Sequence, residues 1–502
     1  MSDGTNRFLN PFLDCDSDQS LALSAKSDCL TRRARKMTKV VATIGPASES
    51  EEIMRSMFHA GMNVARLNMS HGDHRDHLNR LELLRRLSRE MERPIAILAD
   101  LQGPKIRTGR LKGGTPVEWK SGSTIIITVA DCPEGTADRV GTTYAGLAKD
   151  VVPGNTVLVD DGKMRLKVER VAGDDIHCSV QVGGLLKNNK GINLPGVKVS
   201  APSLSEKDKA DLAWALEHEV DYIALSFVRT ARDVRNVKNR IAESGRIIPV
   251  IAKIEKPEAV ENLDEILAEA DGIMVARGDL GIEISTQRLP VVQKDLIHRA
   301  NRAGKLVITA TQMLESMIEN PIPTRAESSD VANAIFDGTD AVMLSGETAS
   351  GKYPVEALAE MLRIAIEAER SPYMPRIDLP DDGPFDPSAL AMSGATDYLC
   401  RRLRAAGTLI FSHTTEKALL LSKRRGDVPM VALCYDEATW RRLSLFWGIV
   451  PLMITFDDDF ADLLEAGVDE CVRHGIFHDG DTVVILCGVS KTGANTIKVH
   501  QI

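Results

Sequence analysis

The sequence predicts an α/β protein built on a TIM-type (β/α)8 barrel, with an inserted small β-barrel lid domain and a C-terminal α/β domain. Eight short apolar, β-branched segments, each followed by a helical pattern, lie between residues 38 and 346. Their spacing breaks once, between the third and the fourth segment. Strands and helices alternate again after a proline-rich stretch. Successive strand–helix units are typical of a parallel barrel, and eight of them close it.

The eight candidate strands are rich in valine, isoleucine and alanine. They cover residues 38–45, 63–70, 95–100, 220–227, 247–255, 272–279, 305–312 and 340–346. The first helix is predicted to open at a capping box formed by Ser48 and Glu51 and to end at Gly61.

The insertion differs in pattern from the barrel. Met164, Leu166 and Val168 alternate with charged residues, which predicts a strand with one buried face. The insertion begins after the carboxyl end of the third strand, on the face where barrel enzymes carry out their chemistry. We therefore expect it to act as a lid.

The predicted domain boundaries follow these changes of pattern. The ranges are 1–37 for a flexible extension, 38–105 and 202–370 for the two parts of the barrel, 106–201 for the lid, 371–387 for a linker and 388–502 for the C-terminal domain. The linker is predicted to be extended because five prolines occur between residues 371 and 388.

Composition excludes several classes of protein. There are 71 acidic and 62 basic residues, a net charge of −9, which provides no overall attraction to nucleic acid. No run approaches the roughly 20 apolar residues that a membrane-spanning helix needs. The eight cysteines include no CxxC pair, which is typical of unpaired thiols in a reducing compartment. We expect a soluble, cytoplasmic protein with neither a nucleic-acid nor a membrane partner.

Three candidate strands end in polar residues at every second position. These residues are Arg66, Asn68 and Ser70 in the second strand, Lys253 and Glu255 in the fifth, and Arg277 and Asp279 in the sixth. Residues two apart in a strand share a face, so we expect the groups to converge at one end of the barrel. Burying so many charges without a ligand costs several kcal/mol for each imperfectly paired ion. The pattern therefore predicts an anionic substrate with a hard metal ion.

The residue types agree with that chemistry. Glu255 and Asp279 offer carboxylate oxygens suited to Mg²⁺ or Mn²⁺, and Arg66 and Arg107 offer planar forks suited to phosphate. The histidines at 71, 74 and 77 are three residues apart, which predicts a solvated helix face, with only His71 near the site. No GxxxxGK[ST] loop is present, so any nucleotide is held in another way.

Many segments resemble one family, the pyruvate kinases. They are TKVVATIGPAS, GMNVARLNMSHG, DLQGPKIRTG, DDG, NKGINLPG, LSFVR, AKIEKPEAV, DGIMVARGDLG, ATQMLESM, NPIPTRAE, DVANAIFDGTDAVMLSGETA and GKYP, in family order between residue 38 and about 370. The C-terminal domain is similar in layout and less so in motif. The resemblance implies transfer of the phosphoryl group of phosphoenolpyruvate to ADP, giving pyruvate and ATP.

The resemblance also assigns roles to residues. Glu255 and Asp279 are expected to hold Mg²⁺ or Mn²⁺, and Lys253 to stabilise the phosphoryl group in flight. By the same resemblance, Arg66 grips the phosphate and Thr311 lies beside the methylene carbon that is protonated. Backbone N–H groups of Gly278 and Asp279 are expected to receive the substrate carboxylate. The residues expected to contact ATP or ADP are Asn68, Ser70, His71, Arg107 and Lys190.

The resemblance also implies an effector site in the C-terminal domain and a tetrameric assembly. Relatives bind a phosphorylated effector in the C-terminal domain through a loop at a helix start, where N–H groups receive a phosphate. The corresponding residues here are Ser412, Thr414, Thr415 and Lys417, with Lys423 as a further source of charge. The glycine of that loop is absent, and Glu416 replaces its basic residue. We expect a phosphorylated activator other than fructose 1,6-bisphosphate, and a homotetramer.

One departure from the family pattern concerns potassium. In many relatives, Asn68, Ser70 and Asp100 correspond to ligands of a monovalent cation. Those relatives carry a glutamate where this chain has Lys105, and a threonine where it has Leu101. The ammonium group of Lys105, paired with Asp100, is expected to replace the ion. We therefore expect that K⁺ is not required.

Two other functions are compatible with parts of the pattern. A Mg²⁺-dependent lyase acting on a pyruvate enolate needs the Glu/Asp pair and an arginine, but neither Lys253 nor a lid lysine. A non-catalytic metabolite sensor is expected to have lost Lys253, Glu255 or Asp279. All three residues are present.

Overall fold

The computed structural model describes residues 36–411, 415–454, 460–489 and 494–502. Its central element is a closed barrel of eight parallel strands. The strands are β1 (Lys39–Thr43), β2 (Val64–Asn68), β3 (Ala96–Asp100), β4 (Tyr222–Leu225), β5 (Val250–Ile254), β6 (Gly272–Ala276), β7 (Leu306–Ala310) and β8 (Ala341–Leu344). Pairing of β1 with both β2 and β8 closes the ring. The predicted fold class is confirmed, and each predicted strand is present in shortened form.

Alternation along the strands separates two apolar layers. In β1, Val41 packs inside the barrel, while Val40 and Ala42 pack against the surrounding helices. Both layers are buried, which is why the strands read as nearly continuous apolar runs.

Helices follow most of the strands and surround the barrel. The α-helices of the described residues are Glu51–His59, His74–Glu90, Leu147–Asp150, Glu206–Glu217, Ala231–Glu243, Pro257–Glu261, Leu263–Glu269, Arg277–Glu283, Leu289–Arg302, Arg325–Phe336, Gly346–Ala349, Pro354–Arg370, Pro387–Leu403, Glu416–Lys423, Glu437–Arg442 and Phe460–Arg473. None of them has the length and apolar character needed to cross a membrane.

The first helix corrects one prediction. Its N-cap is Ser50, whose side chain accepts a hydrogen bond from the Ile53 N–H. The Ser48 hydroxyl is instead buried and accepts from the Gly45 N–H at 3.1 Å. Ser48 and Glu51 therefore form no capping box, because the chain turns once more before the helix begins.

The insertion consists of a six-stranded and a two-stranded sheet. Its strands are Val117–Trp119, Thr124–Thr128, Arg139–Gly141, Thr156–Val159, Met164–Ala172, Asp175–Val182, Gly184–Leu186 and Ile192–Asn193. Met164, Leu166 and Val168 are buried, as their alternation predicts, and form part of a separate core. The insertion leaves the barrel after β3 and returns before β4, on the side where the strands end.

The C-terminal domain is a five-stranded sheet with helices. Its strands are β9 (Gly407–Phe411), β10 (Met430–Cys434), β11 (Ile449–Met453), β12 (Thr482–Val489) and β13 (Ala494–Gln501), in the order β11-β10-β9-β12-β13. The final strand is antiparallel to its neighbour. Six cysteines lie in the described part of the chain, and no disulfide joins any two of them.

The C-terminal domain packs against the amino-terminal ends of the barrel strands. Lys39, at the start of β1, donates to the Ile449 carbonyl at 2.7 Å, and Tyr222, at the start of β4, donates to the Arg442 carbonyl at 2.7 Å. A single apolar cluster joins the barrel interior to this domain. The opposite end, where the strands finish, remains for a ligand.

Candidate active site

A cavity of ≈ 150 Å³ lies between the carboxyl ends of the barrel strands and the insertion. Eight residues singled out from the sequence line it: Arg66, Asn68, Ser70, His71, Lys105, Lys253, Glu255 and Asp279. The predicted convergence of charged groups at one end of the barrel is thus realised for most of the set.

Alternation of side chains along β2 directs Arg66, Asn68 and Ser70 to the face that lines the cavity. Arg66, Asn68 and Ser70 are half-buried, whereas Leu67 and Met69 are fully buried on the other face. The Asn68 side-chain oxygen accepts from the Ser70 N–H at 3.1 Å, which turns the chain over the cavity after the strand ends.

Two cations share one buried carboxylate beneath the cavity. Arg66 donates to Asp100 at 2.7 Å, and the Lys253 Nζ lies 3.4 Å from the other Asp100 oxygen. Burial tends to raise the pKa of Asp100, but the charges of Lys253 and Arg66 outweigh it and hold that pKa below its usual value. The carboxylate therefore stays ionised and fixes both cations in place.

Lys253 is the most constrained of these groups. It donates to the Ser226 hydroxyl at 2.6 Å and lies 3.5 Å from a Glu255 oxygen. Burial disfavours its charge, yet Asp100, Glu255 and Asp279 outweigh that effect and raise the pKa of Lys253. The ammonium is thus a permanent, oriented positive charge facing the cavity.

Glu255 and Asp279 have the chemistry of a divalent-metal site. Burial raises the pKa of Glu255; the Lys253 charge opposes this, while the Asp279 carboxylate adds to it. Glu255 and Asp279 would hold a divalent cation, whose charge would relieve this repulsion. The described residues hold no group of three or more His, Cys, Asp or Glu side chains arranged for a metal. Mg²⁺ fits two carboxylates nonetheless, because it usually takes its remaining ligands from water and substrate phosphates.

Arg277 does not face the cavity, contrary to the prediction. β6 ends at Ala276, and residues Arg277–Glu283 are helical. Residues two apart are about 200° apart around a helix, so Arg277 and Asp279 point in opposite directions. Asp279 lines the cavity, while Arg277 is buried behind it, 2.6 Å from Asp330.

Thr311 and Gly278 do not line the cavity; they contact each other next to Asp279, which does. The Thr311 hydroxyl accepts from the Gly278 N–H at 2.7 Å, so that N–H is not free for a substrate carboxylate in this structure. Thr311 and Gln312 both have left-handed backbones, with φ of 68° and 54°. For a β-branched threonine this conformation costs of the order of 1–3 kcal/mol and must be held by its surroundings.

The insertion covers the cavity with residues that the predictions did not name. Asp161, Gly191, Ile192 and Asn193 line it, and Asn193 donates to Glu283 of the barrel at 3.3 Å.

Two expected nucleotide ligands lie in the insertion, outside the cavity lining. The Lys190 ammonium pairs with Asp160 at 2.8 Å. The Arg107 backbone bridges to Gly191. Burial, followed by the charges of Lys105, Arg107 and Arg66, lowers the pKa of His71. Arg107 is therefore close enough to act electrostatically on His71, which lines the cavity.

The expected pairing of Lys105 with Asp100 is not formed in this structure. Lys105 lies at the exposed rim of the cavity, whereas Asp100 is buried. Among the described residues, the ion-pair partners of Asp100 are Arg66 and Lys253. Arg66 from β2 and Lys253 from β5 surround the Asp100 carboxylate, and Lys105 stays apart from it in this structure.

Several further residues belong to the site and were missed. They are Gln102, Ser226, Phe227, Lys256 and Glu283. The Phe227 N–H donates to Glu255 at 2.6 Å, and its φ is 57°. Lys256 pairs with Glu283 at 2.6 Å. For Gln102, Ser226, Phe227 and Lys256 the only signal in the sequence was position, just after the ends of β3, β4 and β5; Glu283 is the last residue of the helix that follows β6.

The histidine triplet is also corrected. His77 is buried rather than solvated, and its Nε2 lies 2.9 Å from the His71 carbonyl oxygen. Burial lowers its pKa. A neutral His77 that donates from Nε2 to this carbonyl supports the loop that carries His71.

The expected effector residues are only partly described. Ser412 and Thr414 lie outside the described residues. Thr415 and Glu416 line a cavity of ≈ 1120 Å³ between the barrel and the C-terminal domain. Lys423 cannot serve an effector as expected, because it is fully buried and pairs with Asp340 at 2.5 Å.

Comparisons with known proteins point to one family for both domains. Residues 35–358 match the family model described as pyruvate kinase, barrel domain, and residues 390–500 match pyruvate kinase, alpha/beta domain. A pyruvate kinase of Mycobacterium intracellulare is 45% identical over 473 residues, covering 92% of this chain and 98% of the relative. One from Geobacillus stearothermophilus is 44% identical, covering 93% and 81%.

A solved structure supports the same conclusion. The crystal structure of a pyruvate kinase from Cryptosporidium parvum is 36% identical, with a TM-score of 0.87, covering 94% of this chain and 97% of that one. The resemblance noted from the sequence motifs is thereby confirmed, and this chain belongs to the pyruvate kinase family.

Proposed function

We propose that the cavity at the carboxyl ends of the barrel strands is where this chain carries out the reaction of its family. That reaction moves the phosphoryl group of phosphoenolpyruvate to ADP, giving pyruvate and ATP. The observation that supports this location is the arrangement around Asp100, which holds Arg66 and Lys253 beside the carboxylates of Glu255 and Asp279. A loose phosphoryl-transfer transition state needs such positioned charge more than covalent chemistry.

Arg66 and Lys253 act on the phosphoryl group in different ways. The Arg66 guanidinium, held by Asp100 and by the Thr43 hydroxyl at 2.9 Å, is suited to grip phosphate oxygens in the ground state. The Lys253 ammonium, held by Ser226, is suited to stabilise charge on the phosphoryl group as it moves. Thr311 is proposed to lie beside the methylene carbon that is protonated.

The metal and carboxylate sites complete the proposal. The family needs Mg²⁺, and Glu255 and Asp279 are the residues that we propose to hold Mg²⁺ or Mn²⁺. When bound, the ion neutralises charge on substrate oxygens. The Gly278 and Asp279 N–H groups are proposed to receive the substrate carboxylate, which requires the Thr311 hydroxyl to release Gly278.

The nucleotide is proposed to bind between the barrel and the insertion. Asn68, Ser70 and His71 offer polar contacts from the barrel side. Arg107 and Lys190 offer cations from the insertion, where Lys190 exchanges Asp160 for a phosphate. Residues 106–201 then act as a lid over the carboxyl ends of the barrel strands.

The direct test supplies phosphoenolpyruvate, ADP and Mg²⁺ and follows pyruvate and ATP. We expect both products in equal amounts, and none when the metal is chelated. Pyruvate formed without ATP contradicts the proposal.

We propose that Lys105 makes K⁺ unnecessary. Its charge acts on the cavity, since it contributes to the lowered pKa of His71. The expected result is full activity in potassium-free buffer containing Mg²⁺ or Mn²⁺. Lys105→Glu is expected to be inactive or to depend on K⁺, because the substitution changes the local charge by two units.

The control for that prediction is the same charge reversal on the insertion outside the cavity, Lys112→Glu, which is expected to remain independent of potassium. Initial rates are measured at fixed ionic strength with tetramethylammonium in place of K⁺. Several-fold stimulation of the parent chain by K⁺ shows the proposal to be wrong.

We further propose a phosphorylated activator that binds at Thr415 and Lys417, together with Ser412 and Thr414. The cavity beside Thr415 supports it, and Glu416 disfavours a second phosphate there. Sugar monophosphates or AMP are expected to lower the phosphoenolpyruvate concentration for half-maximal rate, and fructose 1,6-bisphosphate to act weakly. The measurement is a set of saturation curves with each compound. A strong shift by fructose 1,6-bisphosphate alone contradicts the proposal.

Assembly and location are proposed from the family and the composition. We propose a homotetramer in the cytoplasm, with neither nucleic acid nor membrane as a partner. Light scattering at micromolar concentration tests the assembly, and a monomer is the result that refutes it.

A further inference from the structure

The loop after β7 is held from behind by one buried arginine. The Arg277 guanidinium donates to the Thr311 carbonyl at 2.7 Å and to the Gln312 carbonyl at 3.2 Å. Its Nε also reaches the Ala310 carbonyl at 3.3 Å. A single side chain thus satisfies three consecutive carbonyls.

The same segment has the unfavourable backbone described above. Thr311 and Gln312 are left-handed, and neither is a glycine. Two consecutive residues in this conformation turn their carbonyls away from the cavity and the Thr311 hydroxyl towards Gly278. Donors behind the loop are needed to keep it in this form.

Arg277 is itself anchored on helices outside the barrel. It pairs with Asp330 of the helix Arg325–Phe336 at 2.6 Å and donates to Gln293 of the helix Leu289–Arg302 at 3.4 Å. The Arg277 side chain is 6% exposed, so its contacts to the loop carbonyls are little screened by water, whereas the Asp330 side chain is 40% exposed. Arg277 therefore connects the loop to two rigid elements.

We propose that Arg277 is a positioning residue for the proton-transfer half of the reaction, acting by holding Thr311 in its left-handed conformation. This rests on the role proposed for Thr311. In that step, a C–H bond forms at the methylene carbon of the pyruvate enolate as the C=C electron pair takes up the proton. The ketone is restored, and the hydroxyl that relays the proton regains one from solvent.

The proposal separates two measurable reactions. The phosphate contacts of Arg66 and Lys253 and the carboxylate contacts of the Gly278 and Asp279 N–H groups do not use the Arg277 side chain. Binding of phosphoenolpyruvate is therefore expected to depend little on Arg277. Exchange of pyruvate methyl protons with D₂O, followed by NMR in the presence of Mg²⁺ and ATP, reports the proton step alone. Displacement of a reacting group by about 1 Å can cost on the order of a hundredfold in rate.

The test compares Arg277→Met, Arg277→Lys and Asp330→Asn with the parent chain. We expect Arg277→Met to lower the exchange rate by about a hundredfold, with KM for phosphoenolpyruvate changed less than about threefold. Lysine is expected to restore part of the rate. Asp330→Asn keeps the contacts of Arg277 with the loop carbonyls and is expected to lower the exchange rate less, again with little change in KM. This variant still tests the proposal if Arg277→Met does not fold.

The matched control is Arg299→Met, which removes an arginine of the same barrel that pairs with Asp264 and Asp295. Its exchange rate is expected to equal that of the parent. Parallel losses of exchange and substrate binding in Arg277→Met, or equal losses in the methionine and lysine variants, overturn the proposal.

A separate variant tests the assumption about Thr311. Thr311→Ala is expected to lose proton exchange as strongly as Arg277→Met. Parental exchange in Thr311→Ala overturns the positioning proposal while phosphoryl transfer by the parent chain still stands. Failure of the parent chain to form ATP instead overturns the proposed function.

Discussion

Lys253→Met is expected to lower kcat by about 10²–10³-fold while KM for phosphoenolpyruvate changes only a few-fold. Among the described residues, the Lys253 ammonium is the cation of the site that lies within 3.5 Å of both Asp100 and Glu255. Methionine keeps much of the side-chain length and removes the charge.

We expect kcat to fall without a comparable change in KM because the Lys253 ammonium interacts most strongly with the phosphoryl group during its transfer. A group that stabilises charge only as the phosphoryl group moves contributes to the transition state and not to ground-state binding. Arg66 keeps its two partners in the variant and continues to grip the phosphate. Substrate affinity is therefore largely retained.

Loss of the cation also leaves the carboxylates of Asp100, Glu255 and Asp279 less compensated. Mn²⁺ binding, measured by electron paramagnetic resonance, is expected to be unchanged or tighter in Lys253→Met, which separates the effect on kcat from metal loss. Lys238→Met is the matched control, since Lys238 pairs with Asp271 far from the cavity. A Lys253→Met enzyme within about tenfold of the parent kcat requires another role for this residue.

Much of the site could be predicted because strand alternation is a local rule. Arg66 and Asn68 follow each other at a spacing of two within β2, and both face the cavity. Lys253 and Glu255 do the same at the end of β5. The period of a strand fixes which side chains share a face, without knowledge of any distant contact.

The same rule failed where a strand ended earlier than predicted. Residues 272–279 were expected to form one strand, but the chain becomes helical at Arg277. The period changes from 2 to 3.6, and Arg277 is turned to the back of the site while Asp279 stays at the front. The nearest glycine, Gly278, lies inside the helix rather than before it, and no proline occurs at the boundary, so the change from strand to helix had no strong signal.

Contacts between domains could not be predicted at all. Lys423 is the last residue of a short helix and was expected to face an effector. Its partners Asp340 and Asn301 are 83 and 122 residues away in sequence. Neither periodicity nor motif spacing reports on pairings over such separations.

The interdomain cluster carries the second large prediction. Asp340→Asn is expected to destabilise the protein by about 3–5 kcal/mol. The Asp340 carboxylate pairs with Lys423 at 2.5 Å and with Arg425 at 2.9 Å, and all three side chains are at most 1% exposed. Asparagine has nearly the same shape, so the substitution removes the charge without creating a cavity. Two buried cations are left without a counter-charge.

A matched control is available at the surface. Arg376 of the linker pairs with Asp427 of the C-terminal domain, and their side chains are 44% and 69% exposed. Asp427→Asn is expected to change stability by no more than about 1 kcal/mol, because solvent screens this pair. Unfolding in urea is followed by circular dichroism and by tryptophan fluorescence. Trp447, whose ring lies 4.8 Å from the Arg425 guanidinium carbon, reports on the interface directly.

The loss of stability in Asp340→Asn is expected to depend on pH. Burial lowers the pKa of Lys423 from 10.5 to about 8 in the folded parent chain, although Asp340 opposes that shift. Without Asp340 the folded pKa falls further, so the folded variant gives up this proton at a lower pH than the parent does. Below pH 10.5, Lys423 is more protonated in the unfolded chain than in the folded variant. The free energy of unfolding of the variant therefore rises as the pH rises. Between pH 7 and 9 the variant is therefore expected to recover part of the difference from the parent, but not all of it, because Arg425 keeps its charge. A difference below about 1 kcal/mol at pH 7, or one that grows with pH, contradicts the view that this buried ion cluster holds the two domains together.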